Sequence, residues 1–342
     1  MRAIGLYKSH PLTEAEALLD LEIPAPELRP HDLLVRVKAV SVNPVDTKVR
    51  RFRHPQKADI PRVLGYDGAG IVEAVGEAVS LFKAGDQVYF AGDITRAGSN
   101  AELVAVDERI CGRMPRSLSF AQAAALPLTT LTAWEAVHDR MGAPVAAEAN
   151  AGRHILIIGG AGGVGSIAIQ LAKRAGMIVI ATASRPESEQ WCRDLGADHV
   201  PDHRDLVASV RGLGIDMVEY ILCASSTDEY FGSCAELVAP QGKVCFIVAN
   251  AQPVNAAAFQ AKSVGIHWEY MFTRPQFTTI DISRQHEILT ETAAMVDLGL
   301  VRTTMTRELS PINASTLREA HGLIEAGKTI GKVVVSGEFA DG

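Results

Sequence analysis

The chain is 342 residues long, 47% hydrophobic and 21% charged, a globular composition with length for two cores rather than one. A formal charge of −7 excludes a broad phosphate-binding face, because a nucleic-acid binder needs an excess of Lys and Arg to release counterions. The cysteines, Cys111, Cys192, Cys223, Cys234 and Cys245, are odd in number and show no C-x-x-C spacing, which fits neither a disulfide framework nor a zinc knuckle and points to buried thiols in a reducing cytosol.

In chain order, "MRAIGLYKSH" has no apolar stretch of signal-peptide length, and the most apolar segment, 155 to 169, is broken by glycines and too short to span a bilayer. A cytoplasmic protein with no membrane and no nucleic-acid partner is expected. "LLVRVKAVSV" (33 to 42) then alternates, with Leu34, Arg36 and Lys38 on one face and Val35, Val37 and Ala39 on the other, the mark of a half-buried strand. "GIVEAVG", "GDQVYFAG" and "NAELVAVDE" continue as short strands between Gly, Asp and Asn, up to about Pro115.

From His154 the rhythm becomes strand, helix, strand. Six apolar runs, "HILIIGG", "MIVIATAS", "DHVPDH", "IDMVEYILCA", "GKVCFIVAN" and "SVGIHWEY", alternate with helical patterns, which predicts an α/β doubly wound parallel sheet of the Rossmann kind. Beyond residue 280, two amphipathic helices and the strand "GKVVVSG" are expected to pack back on the first domain.

"GGAGGVG" (159 to 165) follows the strand "HILII" and opens a helix, so its G-x-G-x-x-G has the context that gives the motif meaning. Gly160 is expected to make the tight turn, Gly162 and Gly163 to let backbone N–H groups approach a pyrophosphate, and Gly165 to let helix and sheet pack closely, with Val164 in the same loop. The bland alternative is a turn and nothing more. After the second strand, where a carboxylate would take the ribose of NAD, the sequence has Ser184 and Arg185. A hydroxyl and a cation there suit the 2′-phosphate of NADP(H), unless Arg185 is a solvated surface residue. His203, after the third strand, is a further candidate for the adenine end, against the usual role of a lone His as a surface or core residue.

A β-rich N-terminal part, a dinucleotide fold and a returning tail resemble the medium-chain dehydrogenase/reductase superfamily over essentially the whole chain. The likeness rests on "SVNPVDTKVR" (41 to 50), "LGYDGAGIVEAVG" (64 to 76), "GDQVYF" (85 to 90), "AAALPLTTLTAWEAV" (123 to 137) and "GGAGGVG". It is similar in particular to the zinc-independent quinone oxidoreductase branch, and to a bacterial group labelled zinc-type alcohol dehydrogenase-like. The resemblance implies a GroES-like catalytic domain at 1–126 and 273–342 around a Rossmann domain at 127–272. A homodimer is expected because the sixth strand lies at a sheet edge, and edges pair readily across a dimer. Where zinc enzymes of the superfamily carry Cys, His-Glu and a further ligand, this chain has Asn43, Tyr66-Asp67 and nothing near Leu126. The resemblance therefore implies no metal, a stable zinc site needing about three N or S donors.

By the same resemblance, Asn43 would bond the nicotinamide ribose or the substrate oxygen, Thr129 or Thr130 the nicotinamide side, the backbone around Val248 in "FIVAN" the carboxamide, and Lys332 the phosphates unless it is solvated. Tyr66 could donate to a developing oxyanion or merely wall the pocket; Asp67 reads as structural. In "IHWEYMF", strand spacing would put Trp268, Tyr270 and Phe272 on one face, as a subunit interface contributing Trp268 to the pocket. Without a Lewis acid, acceptors whose reduction spreads charge, quinones and α,β-unsaturated carbonyls, are expected. A cofactor-binding sensor with little turnover and a zinc alcohol dehydrogenase with unusual ligands remain alternatives. A hydrolase is disfavoured, since neither G-x-S-x-G nor H-E-x-x-H occurs.

Overall fold

The protein is described here by a computed structural model that covers residues 1–52 and 59–340. The chain forms two compact units, Met1–Leu128 with Phe272–Gly342, and Thr129–Met271.

The first unit is built on the strand Asp32–Val42, long enough at 11 residues to pair with three others. Gly68–Val75 runs antiparallel along most of it, Leu103–Asp107 lies beside its first half, and Lys332–Ser336 beside its second. Gln87–Phe90 and Cys111–Arg113 extend the sheet on one side, and Met305–Leu309 on the other, parallel to Lys332–Ser336. The alternation in the sequence is the cause of the register: Leu33, Val35 and Val37 are buried while Leu34, Arg36 and Lys38 are half-exposed. From Ala39 to Val42 both faces are buried, which brings the following Asn43 into the interior. The tail belongs to this unit: helix Arg284–Asp297 is tied to the barrel strands where Tyr89 Oη donates to the Leu289 carbonyl at 2.5 Å.

The second unit holds a parallel sheet in the order Ile178–Ala181, His154–Ile158, Val218–Cys223, Val238–Phe246, Gly265–Trp268. Its central strands His154–Ile158 and Val218–Cys223, with Ile178–Ala181, are almost wholly buried, as helices on both faces require, whereas the edge strand Gly265–Trp268 is half-exposed. Helices Gly163–Arg174, Pro186–Asp194, Leu206–Arg211 and Thr227–Leu237 make the crossovers. One expected strand is missing. The "DHVPDH" segment makes only two isolated parallel bridges, Ile180 to His199 and Ala183 to Asp202, and Pro201 between them has no N–H to donate. The bridges still preserve the doubly wound order.

The expected shared face of Trp268, Tyr270 and Phe272 is not formed. The edge strand stops at Trp268; Trp268 and Tyr270 are 45% and 40% exposed, whereas Phe272 is buried and belongs to the other unit. All five cysteines are buried free thiols. Among the described residues, no helix is long and apolar enough to cross a membrane.

Candidate functional site

In the second unit, the chain leaves the strand His154–Ile158 through Gly159, whose φ of +87° only glycine adopts freely. The tight turn is thus at Gly159, one residue before the expected Gly160. Gly160 answers to close packing instead, since a Cβ there would lie 2.8 Å from Ala181 Cβ and 3.1 Å from Cys192 Sγ. Gly165 carries the tightest constraint, with a Cβ falling 2.3 Å from the Gly159 carbonyl oxygen and 2.6 Å from Gly160 Cα. Gly162, which caps helix Gly163–Arg174, is different: the nearest atom to a Cβ there is 3.5 Å away. Space beside Gly162 therefore lies at a helix N-terminus, where the first-turn N–H groups of Gly163, Val164 and Gly165 have no intrahelical acceptor and the helix dipole favours an anion. That combination fits a pyrophosphate.

Thr182 holds this turn to the next strand and was not singled out from the sequence. Its Oγ1 accepts from Gly159 N at 2.9 Å, and its carbonyl accepts from Gly160 N at 2.9 Å. Beyond it, Ser188 Oγ accepts from the N–H of Ser184 and Arg185, at 3.3 and 3.0 Å, and caps helix Pro186–Asp194. Ser184 is exposed and Arg185 half-buried. His203 Nδ1 sits 3.1 Å from Tyr230 Oη. The Val248 carbonyl accepts from Thr227 Oγ1 at 2.5 Å. Trp268 leans on Phe246, ring centroids 5.3 Å apart.

Helix Pro127–Trp134 carries Thr129 and Thr130 and continues into a π-helical segment, Glu135–Arg140. Both threonines are buried, and among the described residues Thr130 Oγ1 has no hydrogen-bond partner. An orphaned buried hydroxyl on a polar helix start suits a carboxamide partner.

In the first unit, four side chains from three segments converge. Asn43 precedes helix Pro44–Phe52; its backbone N–H donates to Asp46 Oδ2 at 2.8 Å, half of a capping box behind a proline at the first helical position. Asp46 Oδ1 accepts from Gly65 N at 3.2 Å. Gly65, at φ +109°, turns the chain into Tyr66 and Asp67. Asp67 Oδ1 accepts from Leu128 N at 2.8 Å, and Oδ2 from Asn43 Nδ2 at 2.7 Å and Lys332 Nζ at 3.0 Å. Lys332 Nζ also donates to Asn43 Oδ1 at 2.5 Å and to the Val42 carbonyl at 3.1 Å. Asn43 Nδ2 completes its bonding on the Tyr66 carbonyl at 3.1 Å.

This cluster revises two expectations. Lys332 is neither solvated nor available to phosphates: it is 3% exposed, and its three donors are committed inside the first unit. Asn43 cannot donate to a ribose or a substrate, since both amide hydrogens are committed; only acceptor capacity on Oδ1 remains. Asp67 is structural, as expected. Tyr66 is fully buried, its ring edge-on to Phe272 at 5.2 Å.

Two carboxylates share one cation in a dry environment. Burial pushes the Asp46 carboxyl up to about 7, against the N–H donors of Asn43 and Gly65 and the Lys332 charge, with Asp67 adding to the rise. Burial also pushes Asp67 up, opposed by Lys332 and by the donors from Asn43 and Leu128. Asp46 was missed in the sequence, although the N-P-x-D spacing of a capped helix start was legible there.

A cavity of about 240 Å³ lies in the same unit beside Gly65, Phe90 and Ile282. Two of its arginines are already paired in two-pronged contacts, Arg96 with Asp32 and Arg109 with Asp107. Among the described residues, no three His, Cys, Asp or Glu side chains gather as a metal site would require.

Residues 29–122 match the alcohol dehydrogenase GroES-like domain, and residues 195–335 the zinc-binding dehydrogenase family. A zinc-type alcohol dehydrogenase-like protein of Staphylococcus aureus is 41% identical over 337 residues, covering 98% of this chain and 100% of that one. A crystal structure from Rhizobium etli, named provisionally as a zinc-dependent alcohol dehydrogenase, superposes with a TM-score of 0.94 at 50% identity, covering 99% of each chain. The NADPH-dependent alkenal/one oxidoreductase of Arabidopsis thaliana is 40% identical over 194 residues, 54% of this chain and 48% of that protein. With a GroES-like unit and a Rossmann unit in one chain and near-complete coverage of its relatives, the chain belongs to the medium-chain dehydrogenase/reductase superfamily, among the zinc-type alcohol dehydrogenase-like proteins.

Proposed function

We propose that the protein is an NADP(H)-dependent reductase of quinones or α,β-unsaturated carbonyls that works without catalytic zinc. The observation that carries this reading is the Lys332 ammonium lodged 3.0 Å from Asp67, beside Tyr66 and Asn43, in the segments where zinc enzymes of the superfamily hold their metal. A cation already fills the local need for positive charge, and a dication is disfavoured beside it. The residues do not suit zinc: among the described ones no three His, Cys, Asp or Glu side chains gather.

NADPH, when bound, supplies the hydride. The chain's own residues do the rest. Gly162 leaves room for the pyrophosphate at the helix N-terminus, and Ser184 and Arg185 take the 2′-phosphate. The Thr130 hydroxyl and the N–H of Val248 orient the carboxamide. On the acceptor, Tyr66 Oη donates to the oxygen that gains charge, a donor that costs no reorganisation because the ring is held by Phe272. A quinone or enone spreads that charge over a conjugated system, so one phenol donor suffices where a simple ketone would need a Lewis acid. The resemblance to the Arabidopsis enzyme over half the chain supports this substrate class. Two copies joining along the exposed edge strand Gly265–Trp268, in the cytoplasm, complete the reading.

The test is NADPH oxidation by chelator-treated protein against quinones, enones, aldehydes and alcohols, with elemental analysis alongside. Turnover of the first two classes without metal is expected. Stoichiometric bound zinc with alcohol oxidation returns the protein to the zinc enzymes; tight NADPH binding without turnover of any acceptor makes it a sensor. Sedimentation at micromolar concentration should give a dimer.

A further inference from the structure

We infer that Lys332 is a positioning residue, whose ammonium fixes the Asn43 amide and through it the Gly65–Asp67 turn that presents Tyr66. The inference rests on the proposed role of Tyr66 in turnover, but its structural half stands without it.

The geometry leaves Lys332 little other use. It opens the strand Lys332–Ser336, whose neighbour Val333 is paired with Val42, so the backbone behind the ammonium is fixed in the sheet. From there Nζ meets three acceptors: Asp67 Oδ2, Asn43 Oδ1 and the Val42 carbonyl. An asparagine amide is nearly symmetric in shape, and its orientation is decided by what faces each end. Here a cation with no acceptor capacity faces Oδ1. The two amide hydrogens are therefore turned toward Asp67 Oδ2 and the Tyr66 carbonyl. The bond to the Tyr66 carbonyl clamps the backbone on the far side of the Tyr66 side chain, and the Asp46 bond to Gly65 N clamps the residue before it. Tyr66 is thus held at its own peptide and by Phe272 at its ring.

The charges facing this ammonium are Asp67 in direct contact and Asp46 through space. Without Lys332 the two buried carboxyls have no cation, and both titrate higher. A group that only filled space would leave that titration where it is.

The variants are Lys332→Met and Lys332→Arg in the full chain, with NADPH and an enone or quinone shown to be turned over by the wild type. In Lys332→Met, kcat is expected to fall about tenfold at an unchanged NADPH Kd, and the pH at which the buried carboxyls titrate, followed by denaturant unfolding, to move up. A double cycle with Asn43→Ala gives the direction of coupling: Lys332→Met in the Asn43→Ala background should cost little more, and fully additive losses overturn the inference. Should Lys332→Met fail to fold, Lys332→Arg keeps the charge but presents a planar fork that cannot satisfy the same three acceptors. It is expected to keep the pH profile and lose kcat severalfold; unchanged kcat overturns the inference. Should the wild type turn over no acceptor, the proposed function fails by itself, and crystal structures decide here. A Lys332→Met or Lys332→Arg structure in which Asn43 and residues 64–67 keep their positions and bonds overturns positioning; a turned Asn43 amide with a shifted Tyr66 supports it.

Discussion

At the scale of single residues, the proposed function leaves two questions to side chains of modest reach. One is which nicotinamide coenzyme the chain takes. On the proposed reading Ser184 and Arg185 stand where a carboxylate would exclude a 2′-phosphate; Arg185 is half-buried, and its backbone N–H is fixed on Ser188 Oγ. Hydrogen bonds to a charged partner contribute about 1.5–3 kcal/mol, so Arg185→Ala should weaken NADPH binding about 10- to 100-fold and leave NADH nearly unchanged. Fluorescence titration with both coenzymes checks this, and equal weakening of the two refutes a 2′-phosphate contact. The other question is what meets the charge on the acceptor. Tyr66→Phe keeps the ring against Phe272 and removes only the phenol oxygen. Loss of one preorganised donor should lower kcat by about 10- to 100-fold at an unchanged NADPH Kd. Steady-state kinetics that match the wild type would leave Tyr66 as a wall of the pocket.

At the scale of elements, the glycine turn separates folding from binding. Gly165→Ala drives a methyl to within 2.3 Å of a backbone carbonyl that cannot move without breaking the strand-to-helix turn. It should lower stability by about 1–3 kcal/mol, seen as a lower Tm in calorimetry without coenzyme. Gly162→Ala places its methyl 3.5 Å from the nearest atom, so Tm should hold, while the same methyl stands in the space assigned to the pyrophosphate and NADPH affinity should fall. The reverse pattern would mean the loop is scaffold only. Much of this element was legible, because a motif on a strand-to-helix turn has a geometry that follows from its spacing. Periodicity likewise revealed the half-buried Asp32–Val42 strand, since its alternation is the burial pattern itself. Other features were not legible. The Pro201 segment reads as a strand by hydropathy but lacks a ladder donor, and the run after Gly265 leaves its strand at Trp268, so a period of two carried too far put Phe272 on the wrong face. Lys332 lies 265 residues beyond Asp67 in sequence, and no local pattern announces that a lysine opening a strand will be buried against an aspartate in a distant turn.

At the scale of the whole molecule, stability against pH carries the signature of that buried cluster. Asp46 ionises near its ordinary value of 3.8 in the unfolded chain and at about 7 in the folded one. Between those values the folded state keeps a proton that the unfolded state has released, so stability falls as pH rises from about 4 to about 7 and is level above. His321, buried on helix Ala314–Glu325 with neither ring nitrogen bonded among the described residues, works the other way: burial pushes it from 6.5 down to about 3. Its contribution is present above 6.5 and is lost as pH falls toward 3. From about 4 to 6.5 the two slopes oppose each other, which conceals both in the wild type. Substitution uncovers them. Asn at position 46 does not ionise, but its amide nitrogen cannot accept, so one of the N–H donors of Asn43 and Gly65 loses its acceptor at every pH. Asp46→Asn should therefore start below the wild type near pH 4 by a fixed loss and gain on it toward pH 7, by on the order of 1.4 kcal/mol per pH unit before levelling. His321→Leu should show its advantage at the other end, gaining on the wild type as pH drops below 6.5. Denaturant unfolding of the three proteins from pH 3.5 to 8.5 measures both slopes. A constant difference between Asp46→Asn and the wild type over that range would mean that Asp46 is ionised throughout, and that Lys332 balances two carboxylates rather than one.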